Sequence, residues 1–154
     1  RVASAVTFGY ICDLAAIEID PNTGRIMVDT YVSVHDVGRV INPILVEGQI
    51  RGGFAHGFGA AMMEDLVYDA EGNFLAGSFA DYTCPTAADL PPVTVGHVET
   101  ASPANAIGSK GMGDGSSMLT PAVMANAVAD ALDRDDVELP LTLDRVWRLM
   151  RRRP

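Results

Sequence analysis

Three short segments carry side chains that could take part in chemistry. Residues 107–118, IGSKGMGDGSSM, combine four glycines with Lys110 and Asp114. Glycines let a backbone approach a ligand and expose N–H groups that bind anions, and Lys110 adds positive charge. Because a carboxylate repels phosphate, Asp114 is interpreted as a general base or an electrostatic partner of a substrate. The alternative is a turn residue whose carboxylate accepts hydrogen bonds from its own backbone. The glycines expected to form an anion-binding nest, with positive φ, are Gly108, Gly111, Gly113 and Gly115.

The second segment, at residues 46–65, is VEGQIRGGFAHGFGAAMMED. Each glycine inside a helix costs about 1 kcal/mol relative to alanine, so close approach of another helix or a ligand must compensate. Gln49 and His56 are seven residues apart, which places them on one helical face about 10 Å apart. Gly52 and Gly53 form a flat strip between them. This arrangement suits a flat polar ligand, and tight helix packing is the alternative.

The third segment, HDVGRVINP at residues 35–43, gathers polar side chains at one edge of the fold. His35 and Asp36 are adjacent on a predicted strand and point to opposite faces, so they do not predict a metal site. Cys12 and Cys84 are isolated and are expected to be small core residues. Neither a zinc site nor an iron–sulfur cluster is predicted within this chain.

Turn and capping signals indicate the elements that position these segments. Residues 14–20 and 25–34 flank the turn sequence PNTG and predict a β-hairpin. Asn42 followed by Pro43 predicts the start of a long, glycine-rich helix that runs to about residue 66. The remaining expected elements are a turn at 69–73, a strand at 93–100, a helix starting at Thr120–Pro121 and a helix over 143–150. Strands and helices are mixed without strict alternation, so the predicted class is α+β.

Composition limits the possible partners. The 154 residues are 48% hydrophobic, enough for a single domain with its own core, and the net charge is −9. That charge argues against nucleic acid and anionic membrane surfaces, and the sequence has no apolar run long enough for a membrane span. The chain begins with Arg1 and is expected to be a segment of a longer protein. Glycine spacing does not match a nicotinamide-binding fingerprint after a strand.

The segments at 34–65, 77–92 and 99–132, in this order, resemble one family. It is the molybdopterin-binding large subunit of the molybdenum hydroxylases, which include xanthine dehydrogenase, aldehyde oxidase and aerobic carbon monoxide dehydrogenase. The resemblance runs from about residue 8 to about residue 133 and identifies residues 1–154 as the C-terminal segment of such a subunit.

The resemblance implies a molybdenum-dependent oxidoreductase that acts on an aldehyde, purine, N-heterocycle or CO-like substrate. The cofactor is molybdopterin with molybdenum, expected in its cytosine dinucleotide form. Iron–sulfur clusters and FAD are expected on other domains or subunits, together with the remainder of the molybdopterin subunit, in a cytoplasmic oligomer. The isolated chain is expected to be inactive.

The resemblance also assigns roles to residues. Asp114 matches the family's active-site glutamate, the catalytic base, and is one methylene shorter. Gln49 matches a glutamine that binds the pterin, and His56 stands where many members have a second glutamine. The predicted cofactor-binding residues are Gln49, Gly52, Gly53, His56, Lys110, Gly111 and Gly113. Because positions 56 and 114 depart from the family, a non-catalytic assembly segment with a decayed site is the alternative.

Overall fold

The computed structural model describes residues 7–152. The predicted hairpin is confirmed: strands β1 (Tyr10–Ile19) and β2 (Ile26–Asp36) pair antiparallel. In the turn between them the Asp20 carboxylate accepts a hydrogen bond from the Asn22 backbone N–H. Gly24 has φ +73°, and a Cβ atom there would lie 2.7 Å from the backbone nitrogen of Trp147, so only glycine fits.

Strand β3 (Val93–His97) completes the sheet by pairing parallel to β2, in the order β1-β2-β3. It confirms the strand predicted at 93–100 but ends three residues earlier, after which Thr100 hydrogen-bonds Asp36 at the end of β2. The predicted turn at 69–73 is also present, where the Asp69 carboxylate accepts from the Asn73 backbone N–H.

Two helices start as the sequence predicts. Helix α1 (Pro43–Met62) has Asn42 as its N-cap, whose side chain accepts a hydrogen bond from Leu45 N. It ends at Met62 rather than near residue 66. The C-terminal helix, α3 (Leu143–Arg151), is capped by the Thr142 side chain.

The prediction that the intervening helix starts at Thr120–Pro121 is wrong. Helix α2 (Gly115–Leu132) begins five residues earlier, and Pro121 lies inside it. The Thr120 hydroxyl donates to the Ser116 carbonyl within the helix instead of capping it, at 2.7 Å. Proline inside a helix removes a backbone hydrogen bond. Packing of the preceding turn against α1 stabilises the helix despite that loss.

The helices cover one face of the sheet and enclose the core. Tyr31 of β2 contacts Phe54 of α1, with ring centroids 4.4 Å apart, and Met124 and Val128 of α2 are fully buried. The α+β class is thereby confirmed. The expectation that Cys12 and Cys84 are core residues is wrong, because both are exposed. None of the helices within residues 7–152 is long and apolar enough to cross a membrane.

Candidate functional site

Helices α1 and α2 make their closest approach through glycine. A Cβ atom on Gly53 would lie 3.1 Å from Ser116 Cβ, and one on Gly57 would lie 2.8 Å from Thr120 Cβ. Since a step of four residues along α1 matches a step of four along α2, the two helices run parallel here. The tight-packing interpretation of the glycines therefore holds for Gly53 and Gly57.

Another face of α1 is open. Gln49, Gly52 and His56 are exposed, and a Cβ atom on Gly52 would have no neighbour within 4 Å. At 100° per residue, these three positions lie next to the face that contacts α2. The glycine-rich helix thus combines a packing face with an open, flat face that carries the two predicted polar contacts.

Asp114 is the residue from which α2 begins. It is exposed, and its side chain makes no capping hydrogen bond, while its backbone carbonyl accepts from Ser117 N at 3.1 Å. The interpretation of Asp114 as a turn residue that caps its own backbone is therefore not supported. Because the helices are parallel, the N-terminus of α2 lies beside the turn of α1 that holds Gln49 and Gly52.

Lys110 is held away from solvent by an ion pair. Its Nζ donates to Asp36 Oδ2 at 2.7 Å and to Thr100 Oγ1 at 2.6 Å, and both charged side chains are only 9% exposed. Asp36 also accepts from the Gly38 backbone N–H. Lys110, together with the Thr100 hydroxyl, holds the pKa of the Asp36 carboxyl well below its usual range. Lys110 therefore anchors the loop to β2, and its predicted contact with a cofactor stays a prediction.

The nest expected from the loop glycines is not formed as predicted. Of the four, only Gly108 has a positive φ, +71°, and it is buried. Its carbonyl accepts from Arg39 N and Ser102 N, both at 3.0 Å, which fixes the start of the loop. Gly111 and Gly113 are exposed and have no neighbour within 4 Å of an added Cβ. They line a cleft between the loop and the adjoining ends of β1 and β2.

A polar network that was not predicted from the sequence lies beneath the start of α2. Asp13, Ser33 and His35 face the helices, and His35 reaches Ser116 of α2. The available signal was the alternation along the strands, which places Asp13 and Ser33 at inward positions where an apolar residue is usual. Partners so distant in the sequence cannot be assigned from the strand pattern.

A flat, polar and partly anionic cofactor fits these surfaces. Gly52, Gly111 and Gly113 each expose backbone that a Cβ would otherwise cover. The N-terminus of α2 lacks a side-chain cap, so it keeps the partial positive charge that favours an anionic group. No group of three or more potential metal-ligating side chains occurs in the part of the chain that the structure describes.

Solved structures and known sequences that resemble this chain include oxidoreductases, dehydrogenases and a hydroxylase. Quinoline 2-oxidoreductase from Pseudomonas putida 86 superposes with a TM-score of 0.85 at 38% identity, over 91% of this chain and 18% of that one. The nicotine 6-hydroxylase large subunit of Paenarthrobacter nicotinovorans is 45% identical over 135 residues, which are 86% of this chain and 16% of that protein. The carbon monoxide dehydrogenase large chain of Hydrogenophaga pseudoflava is 34% identical over 148 residues, 94% of this chain and 18% of its own length.

Residues 2–91 match the molybdopterin cofactor-binding domain family, and the chain belongs to that family. The family match ends before the loop at 107–118, but the similarity to the carbon monoxide dehydrogenase chain covers 94% of this sequence and so includes the loop. Molybdopterin is the cofactor class to which the domain corresponds. The chain spans less than a fifth of the length of these relatives.

Proposed function

We propose that this chain supplies the pterin-contacting helix and the catalytic carboxylate of a molybdenum-dependent hydroxylase or dehydrogenase. The substrate class is an aldehyde, a purine, an N-heterocycle or a CO-like molecule. The proposal rests mainly on one observation. Because α1 and α2 pack in parallel, the N-terminus of α2, with Asp114 as its N-cap residue, lies beside the turn of α1 that carries Gln49 and Gly52. The proposal also rests on the names of the relatives, which are hydroxylases and dehydrogenases.

Each residue has a defined part in this proposal. The Gln49 amide and the His56 imidazole offer hydrogen bonds to the polar edge of the cofactor, and Gly52 lets the helix backbone approach its flat face. Gly53, also predicted from the sequence as a cofactor contact, instead packs against Ser116 of α2. The N–H groups at the start of α2, with Gly111 and Gly113, suit its phosphate groups. Lys110 fixes the loop through Asp36. When bound, the molybdenum cofactor supplies the two-electron redox chemistry.

Asp114 is proposed as the base that takes a proton during the reaction. A carboxylate in this role must come within about 2.6–3.2 Å of the proton donor, directly or through one water. Its side chain makes no capping bond, so it keeps its acceptor oxygens available for that contact.

The proposed partners follow from the length of the chain. Because it spans 16–18% of its relatives, the remainder of the molybdopterin subunit must supply the rest of the substrate pocket. Relatives named as a large subunit and as a complex subunit gamma support a multi-subunit enzyme. We propose iron–sulfur and FAD subunits as the electron-transfer partners, the cytosine dinucleotide form of the cofactor, and a cytoplasmic location that suits two free thiols.

The test uses the full-length subunit in its native complex. Molybdenum is measured per subunit, the nucleotide released from the cofactor is identified as cytosine or guanine, and turnover is measured on a panel of aldehydes, purines and N-heterocycles. The Asp114→Asn variant keeps the size of the side chain but removes the base. We expect full molybdenum content with kcat/KM reduced by about 100-fold to 10,000-fold, the usual range for loss of a general base.

Other outcomes are equally informative. Unchanged turnover in Asp114→Asn would remove Asp114 from the mechanism. Bound cofactor without turnover in the unaltered enzyme, on any substrate of the panel, would favour an assembly segment with a decayed site. A complex without molybdenum would contradict the enzymatic proposal.

A further inference from the structure

Polar side chains form a buried network between the sheet and α2. Tyr31, Ser33 and His35 project from the inner face of β2, and Asp13 projects from the same face of β1. Two residues of α2, Ser116 and Thr120, complete the network. Each of these two side chains is at most 1% exposed, and the same is true of Tyr31, Ser33 and His35. Such groups are costly to bury unless each of them is hydrogen-bonded. Ser116 contacts His35, and Thr120 contacts Tyr31.

The direction of the hydrogen bonds fixes the state of His35. An ionised Asp13 only accepts, so the Ser33 hydroxyl donates to Asp13 Oδ1, at 2.5 Å. Ser33 Oγ must then accept from His35 Nε2, 2.8 Å away, which places the imidazole hydrogen on Nε2. His35 Nδ1 is buried without a hydrogen-bond partner among the described residues. Burial lowers the pKa of His35, and the ring is therefore neutral.

The same imidazole nitrogen reaches the first turn of α2. Ser116 Oγ lies 3.3 Å from His35 Nε2 and accepts the longer branch of the N–H that is shared with Ser33. Ser116 is two residues after Asp114. One turn later, Thr120 Oγ1 lies 3.1 Å from the Tyr31 hydroxyl. Two successive turns of α2 are thus tied to the central strand. Because the Asp114 side chain makes no capping bond, its position depends on the helix that it begins.

We propose that His35 is a positioning residue for Asp114: held by Ser33 and Asp13, it fixes Ser116 and thereby the first turn of α2. This inference rests on the proposed role of Asp114 as the base. It concerns His35 and Ser33, which are fully buried and are assigned an action through Ser116 and not on the substrate itself. A carboxylate displaced by about 1 Å loses roughly 100-fold in rate, so a modest shift of this turn is expected to be visible in turnover.

Three variants of the full-length subunit test the role of His35. His35→Leu removes the N–H donor and introduces an apolar side chain of similar bulk. His35→Gln restores a side-chain N–H near the position of Nε2. His97→Leu is the matched control, because His97 pairs with His35 across β2 and β3 but is exposed.

Two readouts are required in the assembled complex. Hydrogen–deuterium exchange of peptides covering residues 113–118 is expected to rise in His35→Leu and to stay near that of the unaltered protein in His35→Gln and His97→Leu. With molybdenum content unchanged, kcat/KM is expected to fall by about 100-fold in His35→Leu, and His35→Gln is expected to recover most of this loss. If His35→Leu fails to load molybdenum, Ser116→Ala provides the same test, because it removes only the hydroxyl that His35 contacts.

A double-variant cycle separates this inference from the proposed function. Once Asp114 is Asn, there is no base to position, so His35→Leu should change kcat/KM by less than about 3-fold. Independent, additive losses would overturn the positioning role while leaving Asp114 as the base. Full activity in Asp114→Asn alone would overturn the proposed function, and the positioning role with it. Unchanged exchange at 113–118 in His35→Leu would also overturn the inference.

Discussion

At position 114 a carboxylate is retained, but it is one methylene shorter than the glutamate that the family resemblance implies. The structure places this residue at the start of α2, where the backbone rather than the side chain makes the capping bonds. The reach of the proposed base therefore depends on where the helix begins. A helix start adapted to the shorter side chain would compensate for the missing methylene.

Lengthening the side chain tests this compensation. In the full-length enzyme, Asp114→Glu keeps the charge but moves the carboxylate by about one C–C bond, and a misplacement of about 1 Å can cost roughly 100-fold. We expect kcat/KM to fall by about 10-fold to 100-fold at unchanged molybdenum content. Steady-state kinetics on the best substrate of the panel, beside Asp114→Asn, provide the measurement. Higher turnover in Asp114→Glu would instead indicate a decayed site.

The ion pair between Lys110 and Asp36 leads to a prediction about pH. Since the pKa of Asp36 is lowered in the folded state, this carboxylate stabilises the fold above its unfolded pKa of about 3.9, and the contribution is lost as pH falls further. Breaking a buried pair costs about 3–5 kcal/mol. We expect Lys110→Met to lower the thermal midpoint of the full-length protein at pH 6, and the difference from the unaltered protein to narrow below about pH 4.

Arg148→Met is the control for this experiment. Arg148 pairs with Asp144 along α3, and both side chains are more than 60% exposed. Exposed pairs of this kind contribute at most about 1 kcal/mol. A shift in Arg148→Met as large as that in Lys110→Met would show that burial does not distinguish the two pairs.

Among the secondary-structure elements, α1 carries two kinds of glycine that substitution should distinguish. Gly57→Ala places a Cβ atom 2.8 Å from Thr120 Cβ and 2.9 Å from the Ser117 carbonyl, and such overpacking costs about 1–3 kcal/mol. Gly52→Ala meets nothing within 4 Å and gains about 1 kcal/mol in helix propensity. We expect the apo protein to melt earlier with Gly57→Ala and slightly later with Gly52→Ala.

The same pair of variants tests the open face of α1. If the pterin lies against Gly52, a methyl group there should lower molybdenum content even though it stabilises the apo protein. Metal analysis of the purified complex gives this second measurement. Full cofactor loading in Gly52→Ala would show that the backbone at this position is not approached closely.

Local signals predicted the elements whose ends are determined locally. The PNTG turn and the Asn42–Pro43 helix start depend on residues a few positions apart, and both are confirmed. The predicted start of α2 was wrong because a Thr–Pro sequence such as Thr120–Pro121 is typical of a helix N-terminus but can also occur inside a helix that has already begun. Contact of Ser116 with Gly53, 63 residues earlier, accompanies the true start. Cys12 is exposed because Asp13, its neighbour on β1, faces the core and hydrogen-bonds Ser33 of β2. The alternation along β1 therefore places Cys12 on the outer face.

At the scale of the whole molecule, several large apolar side chains are exposed to solvent. Phe79 is 87% exposed and Ile44 is 83% exposed. Phe79 lies in a largely apolar concavity with Phe74 and Tyr82, and Ile44 lies in the first turn of α1. We expect other parts of the proposed enzyme to cover these surfaces.

The isolated 154-residue chain is therefore expected to self-associate, because exposed apolar surface is removed from water when copies meet. Sedimentation velocity at increasing protein concentration is expected to show species larger than the monomer. The double variant Ile44→Ser/Phe79→Ser should shift the distribution toward monomer, whereas Glu71→Ser, at an exposed polar turn, should not. If the remainder of the subunit covers the same surface, co-expression with it should have the same effect as the double variant. A monodisperse monomer at all concentrations would contradict the prediction and would mean that this chain tolerates its exposed apolar surface alone.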